Sequence, residues 1–140
     1  MMVRILAFLL NSQDGLVFGK GLSVDDEPDL WVKSIIDEIE LWIDVGQISD
    51  KRLRKACNRS KIVKIYTYGG NDTDVWWQQN NGKLNQINNL QVYRVPADDV
   101  ILLAGLVQRT MRLQCTIQDG GLMLTNGEQT VEPVIQVLKD

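Results

Sequence analysis

EPDLWVKSIIDEIELWIDVGQ, residues 27–47, reads as a β-hairpin that carries two aspartates. Two runs rich in β-branched and aromatic residues, 30–35 and 38–45, flank Ile36 and Asp37. In the second run Ile39, Leu41, Ile43 and Val45 alternate with Glu38, Glu40, Trp42 and Asp44, the period-2 pattern of a strand with one buried and one polar face. A two-residue turn at Ile36-Asp37 sets Ile35 opposite Glu38, Lys33 opposite Glu40, Trp31 opposite Trp42 and Asp29 opposite Asp44. The Lys33–Glu40 charge pair and the Trp31–Trp42 aromatic pair are each worth about 0.2–1 kcal/mol and favour this register. The acid pair opposes it, because directly facing carboxylates repel with Cβ atoms about 4.5–5.5 Å apart. A divalent cation between them removes that repulsion. Magnesium takes about one or two protein carboxylates and completes its shell with water and phosphate oxygens, which two hairpin aspartates suit. Solvated acids at the two ends of a hairpin are the plainer alternative, and the residues leave both open.

Composition narrows the chemistry. With 140 residues, 44% hydrophobic and 24% charged, residues 1–140 are expected to form a single soluble, cytoplasmic domain with a real core. A formal charge of −3 argues against coating nucleic acid by bulk electrostatics, so any such contact needs a local basic patch. The chain has no histidine, which removes His general bases, Ser/His/Asp triads, Cys/His dyads and most catalytic zinc sites. Carboxylate, Lys, Tyr, Cys or metal chemistry is left. Cys57 and Cys115 stand in no CxxC spacing and read as small core residues of a reducing compartment.

Upstream of the hairpin, the apolar run 5–10 is too short for a signal-peptide core or a membrane span, and no membrane partner is expected. It reads as a buried helix over 2–12 that ends at Asp14-Gly15 and has no N-cap residue in front of it. Residues 16–18 read as a short strand, and the acidic loop through Asp25, Asp26 and Glu27 either adds metal ligands to Asp29 or is simply solvated. Downstream, Gly46 breaks the strand and Ser49 caps a helix over 50–59 with Leu53, Ala56 and Cys57 facing inward. Lys51, Arg52, Arg54, Lys55, Arg59 and Lys61 crowd this helix, as a phosphate-contacting patch or an ordinary basic face.

KIVKIYTYGG, residues 61–70, alternates and should be a central strand, joined to the hairpin by a right-handed parallel crossover. A helix over 74–85, a strand over 90–95 ended by Pro96, and a helix over 97–109 follow. Residues 111–117, 122–125 and 128 onward predict a C-terminal β-meander with turns at Asp119-Gly120 and Asn126-Gly127.

A hairpin feeding a crossover helix and a further strand predicts a mixed α/β sheet. The arrangement resembles the restriction-endonuclease-like core, whose PD-(D/E)xK motif places one acid on each of two neighbouring strands. Pro28-Asp29 reproduces the first half and Asp44 stands at the second acid, but Gly46 occupies the position of the lysine. DDEPDLW, EIELWIDVGQ, KRLRKAC, YTYGG, VWWQQ and LQCTIQDG, in this order, resemble the bacterial YaeQ family over nearly the whole chain. The resemblance implies a variant restriction-endonuclease-like fold with Asp29 and Asp44 as the motif acids, Gln47 replacing the lysine, or Lys55 or Lys51 reaching back from the next helix. It also implies that the chain begins inside the family's first helix, without the N-terminal segment that precedes it there.

Two functions follow from that resemblance, the first as the expected activity and the second as its alternative. One is Mg²⁺- or Mn²⁺-dependent phosphodiester hydrolysis: Asp29 and Asp44 hold the metal, Gln47 positions water, and Lys55 with Lys51 or Arg52 contacts the phosphate. The other is a non-catalytic module that binds nucleic acid or protein in transcription regulation. Loss of the motif lysine favours the second, retention of both acids the first.

Overall fold

The computed structural model describes residues 2–20, 27–106, 113–118 and 121–139. Helix α1 (Met2–Leu10) leads through β1 (Val17–Phe18) to the hairpin strands β2 (Leu30–Lys33) and β3 (Ile39–Val45). Helix α2 (Asp50–Arg59), β4 (Ser60–Gly69), α3 (Asn71–Leu84), β5 (Leu90–Pro96) and α4 (Ala97–Ala104) follow. The chain closes with β6 (Gln114–Gln118), β7 (Gly121–Thr125), β8 (Thr130–Val131) and β9 (Gln136–Lys139).

Six strands form one sheet in the order β1-β2-β3-β4-β5-β9, and β6-β7-β8 form a separate antiparallel sheet. β2 and β3 pair antiparallel, whereas β3, β4 and β5 run parallel, so the sheet is mixed as the element order predicts. The parallel strands are covered on both sides. Leu6 and Ala7 of α1, Leu103 of α4 and Leu124 of β7 pack with Leu30, Leu41 and Ile43 on one face. Leu53 and Ala56 of α2 and Leu84 of α3 pack with Trp42, Val63, Ile65 and Val92 on the other. Leu41, Trp42, Ile43 and Asp44 are therefore all buried, although alternation alone predicts a polar outer face for this strand.

The hairpin keeps the expected register only near its base. Leu30 pairs with Ile43, Trp31 with Trp42 and Val32 with Leu41, but a bulge between Val32 and Lys33 sets Lys33 opposite Ile39. The turn is a five-residue loop, 34–38, rather than two residues at Ile36-Asp37. Ser34 N–H donates to the Glu38 carbonyl at 2.8 Å, Glu38 N–H donates to Ser34 Oγ at 3.1 Å, and Asp37 takes the positive φ of 66° that a β-branched isoleucine resists. The Lys33–Glu40 pair is accordingly not made. Lys33 lies 3.5 Å from Asp37 and over the Trp31 ring, while Glu40 meets Lys61 at 3.2 Å. The bulge also places Ile39 in the core under α2 and α3, not opposite Trp42 as expected.

α2 runs over the expected residues, with Ser49 Oγ accepting from Arg52 N–H at 3.3 Å. The three strands of the meander form as β6, β7 and β8, although residues 111–112 and the Asp119-Gly120 turn lie outside the described residues. A further strand that the sequence does not set apart, β9, pairs antiparallel with β5 at the edge of the six-stranded sheet. α4 is helical to Ala104, and residues 107–109 of its expected extent lie outside the described residues.

Candidate functional site

Asp29 and Asp44 do face each other across β2 and β3, and each carboxylate serves the partner strand's backbone. Asp29 N–H donates to Asp44 Oδ1 at 3.3 Å, and Val45 N–H donates to Asp29 Oδ2 at 2.9 Å. Asp29 lies just before β2 begins, so the two side chains continue the hydrogen bonding where the ladder has stopped.

Each acid also has an arginine. On α2, Arg52 donates from Nε to Asp44 Oδ2 at 2.9 Å and from Nη2 to Asp44 Oδ1 at 3.2 Å, the bidentate fork that guanidinium and carboxylate geometry match. Its Nη2 also donates to the Glu27 carbonyl at 2.7 Å, which holds the acidic loop's exit against the helix. Trp42 Nε1 donates to Asp44 Oδ2 at 2.9 Å, and the Arg52 guanidinium lies 5.7 Å from the Trp42 ring centroid. The side chains of Asp44 and Arg52 are 1% and 10% exposed, so this is a buried ion pair. Arg4, the sole charge in an apolar helix, lies on the other acid: its Nε is 3.4 Å from Asp29 Oδ1, an ion contact without hydrogen-bond geometry. Arg4 Nη2 donates to the Asp29 carbonyl at 3.1 Å and to the Gly19 carbonyl. Burial raises the Asp29 pKa above the usual carboxylate value; the Val45 N–H bond opposes this, the nearby Asp44 charge adds to it, and the two arginines oppose it.

A carboxylate offers about four lone-pair sites. At Asp44, two N–H groups of Arg52, the indole N–H of Trp42 and the Asp29 N–H fill them. Magnesium needs open carboxylate oxygens and room for its waters. Asp44 gives neither, and Arg52 already supplies the compensating charge, so the acid pair as arranged does not fit a divalent ion. Among the described residues no group of three or more His, Cys, Asp or Glu side chains is placed to hold a metal. Asp25 and Asp26, candidate extra ligands in the sequence, lie outside the described residues.

The remaining candidates are dispersed. Gln47 Nε2 donates to the Tyr68 carbonyl at 2.8 Å and to Thr73 Oγ1 at 2.7 Å, tying the exit of β3 to the β4–α3 junction. Lys51 and Lys55 are exposed on α2, while Arg52 of the same helix is directed to Asp44. The α2 cation on Asp44 is therefore Arg52, which lies one turn before the buried Ala56, whereas Lys51 and Lys55 share an exposed stripe of the helix. That reading was available in the sequence, as was the isolated charge of Arg4. The role of Trp42 as donor to Asp44 carried no sequence signal beyond its i, i+2 spacing.

On the flank of α2, Arg54, Asn58, Lys83, Gln86 and Asn89 line an open groove of about 400 Å³ toward the end of α3. Arg54 is paired there with Asp50 at 3.2 Å. No helix among the described residues is long and apolar enough to cross a membrane.

Comparison with known proteins agrees with this architecture. The family model described as YaeQ protein matches residues 1–135. The uncharacterized protein YaeQ of Escherichia coli (strain K12) is 37% identical over 132 residues, covering 94% of this chain and 73% of that protein. Its Salmonella typhi counterpart is 36% identical with the same coverage. The crystal structure of YaeQ from Xanthomonas axonopodis pv. citri matches with a TM-score of 0.92 and 40% identity, covering 99% of this chain and 78% of that one. The Pseudomonas syringae YaeQ structure matches with a TM-score of 0.88 and 30% identity, covering 100% of this chain and 77% of that one. With the family model spanning nearly the whole sequence and the fold shared with two solved members, the chain belongs to the YaeQ family.

Proposed function

We propose that this chain is a non-catalytic binding module built on a restriction-endonuclease-like sheet, in which the two motif acids have become part of an arginine clasp. The observation that carries the reading is the saturation of buried Asp44 by Arg52, Trp42 and the Asp29 N–H. A hydrolytic metal site must exchange water and admit phosphate, and here a guanidinium fills the place of the metal charge. The partner is nucleic acid, contacted through phosphates by the exposed face of α2 with Lys51 and Lys55, beside the groove lined by Arg54 and Lys83. A role in transcription regulation fits a protein that binds without cutting.

Fluorescence polarisation of the full chain with labelled single-stranded RNA and duplex DNA, in EDTA and in Mg²⁺ or Mn²⁺, tests this directly. Binding should persist in EDTA and weaken as salt rises, with log–log slopes of about −0.7 to −0.9 per phosphate contacted. Lys51→Glu with Lys55→Glu should weaken it further, and the nucleic acid should stay intact in either metal. Metal-dependent cleavage abolished by Asp44→Asn would establish the hydrolase instead. Absence of binding to every nucleic acid tried would leave neither phosphate-directed reading standing.

A further inference from the structure

A second polar cluster lies on the opposite face of the sheet, away from the acid pair. Lys64 of β4 pairs in register with Gln91 of β5, and one row on Tyr66 pairs with Tyr93, their rings stacked with centroids 5.0 Å apart. Asn11, just beyond α1, joins the rows. Its Nδ2 donates to Tyr66 Oη at 2.9 Å and to the Ala7 carbonyl at 2.8 Å, and its Oδ1 accepts from Lys64 Nζ at 2.7 Å. Tyr93 Oη donates to Gln91 Oε1 at 2.7 Å, which leaves the Gln91 amide N–H groups as donors beside the amine.

Every member of this cluster except the amine is neutral. Among the described residues Lys64 has no carboxylate partner; its bond is to an amide oxygen. The ammonium is half-buried without a compensating charge, and that desolvation lowers its pKa from the usual lysine value. Tyr66 adds none, because burial pushes its phenol up to about 12, where it stays protonated, and Tyr93 Oη is bonded to Gln91. The amine remains reachable, since Ile62, on the same face one row before Lys64, is 43% exposed and marks the open end of the strip.

We infer that Lys64 is a nucleophilic amine, and that Ile62, Lys64 and Gln91 form a site for small carbonyl compounds, aldehydes or 2-oxo acids, captured as an imine on Nζ. In that step the Nζ lone pair forms a bond to the carbonyl carbon, and the C=O π electrons move to oxygen. The amine proton passes to that oxygen, giving a carbinolamine. Protonation and loss of the hydroxyl as water leave the C=N bond, with no change in oxidation state. Gln91, on the neighbouring strand about 4.8 Å away, offers N–H donors to the carbonyl oxygen or to the carboxylate of a 2-oxo acid. This inference is independent of the nucleic-acid reading, because the two sites lie on opposite faces.

The test uses the full chain with pyridoxal 5′-phosphate and glyoxylate as probes at pH 7, trapping with borohydride and mapping labelled peptides by mass spectrometry. Lys64 should be labelled about tenfold faster than the exposed Lys51 and Lys83, because burial without a compensating charge leaves more of its amine neutral at pH 7. Lys64→Arg should remove that label alone. Asn11→Asp places a carboxylate on the amine, restores the ammonium, and should slow labelling about tenfold at pH 7 with recovery on raising the pH. Labelling of Lys64 no faster than Lys51, or an unchanged rate in a folded Asn11→Asp variant, overturns the inference. The comparison among lysines within the unmodified protein decides the matter even where Asn11→Asp disturbs the fold.

Discussion

Replacing Arg52 by alanine should be among the most damaging single changes available to this chain. It leaves Asp44, 0% exposed, without the guanidinium that neutralises it and makes two of its four hydrogen bonds. Breaking a buried ion pair from one side costs about 3–5 kcal/mol, because the remaining charge stays buried and uncompensated. The lost bond to the Glu27 carbonyl adds about 0.5–1.5 kcal/mol, although the two losses share one side chain and do not simply add. For a chain of 140 residues, about 4 °C in Tm accompanies each kcal/mol, so Arg52→Ala should melt about 12–20 °C lower. Urea unfolding followed by tryptophan fluorescence, with calorimetry for Tm, measures this; Trp42 is itself in the clasp. Arg52→Lys should recover only part of the loss, since an ammonium cannot make the two-pronged contact. Arg52→Met combined with Asp44→Asn removes both charges and should be more stable than Arg52→Ala alone. A loss below about 1 kcal/mol for Arg52→Ala would reduce the pair to the worth of a surface salt bridge and refute the clasp.

Three further outcomes are expected. Asp29, whose folded pKa lies above 3.8, binds its proton more tightly folded than unfolded, so its contribution to stability falls as pH rises from about 3.8 through the folded value. Asp29→Asn should flatten that part of the stability profile in urea melts from pH 3 to pH 7 and be neutral or stabilising at the upper end; a steeper profile would contradict the assignment. Ser49→Ala removes the cap on the Arg52 N–H and should lower stability by about 1 kcal/mol in the same melts. Gly19→Ala places a Cβ 2.2 Å from the Pro28 carbonyl oxygen, so β1 cannot stay against the approach to β2, and calorimetry should show a severe loss or no cooperative transition.

The mixed sheet, α2 and the cross-strand acids were legible because each rests on local chemistry: period-2 alternation, a Ser cap, and a β-rich run facing another. What failed was set by neighbours distant in the chain. Alternation reports which residues share a face but not what covers it, so Trp42 and Asp44 read as an outer face until α2 is laid over them. The loop length was misjudged because Ile36-Asp37 looks like a midpoint, whereas Ser34 and Asp37 carry the turn chemistry. The repulsion between Asp29 and Asp44 was read correctly as needing compensation. In the structure Arg52, Arg4 and backbone donors supply compensation, and only helical phase distinguishes Arg52 from Lys51 and Lys55 at Asp44. The return of β9 to the main sheet carried no local signal, since a short apolar run pairs equally well with either sheet.

The clasp also bears on the order in which the chain assembles. Arg52 and Asp44 are only eight residues apart, and a loop of about that length closes within roughly 10–100 ns. β3, its Gly46 break and the first turn of α2 thus make an early unit whose long-range debt is small, and the parallel pairing of β4 extends it through one helical crossover. β9 must instead wait for β5, more than forty residues earlier, to be in place. Substitutions at Arg52 should therefore slow refolding, whereas substitutions in β9 should chiefly hasten unfolding, a division that φ-values at the two positions can measure.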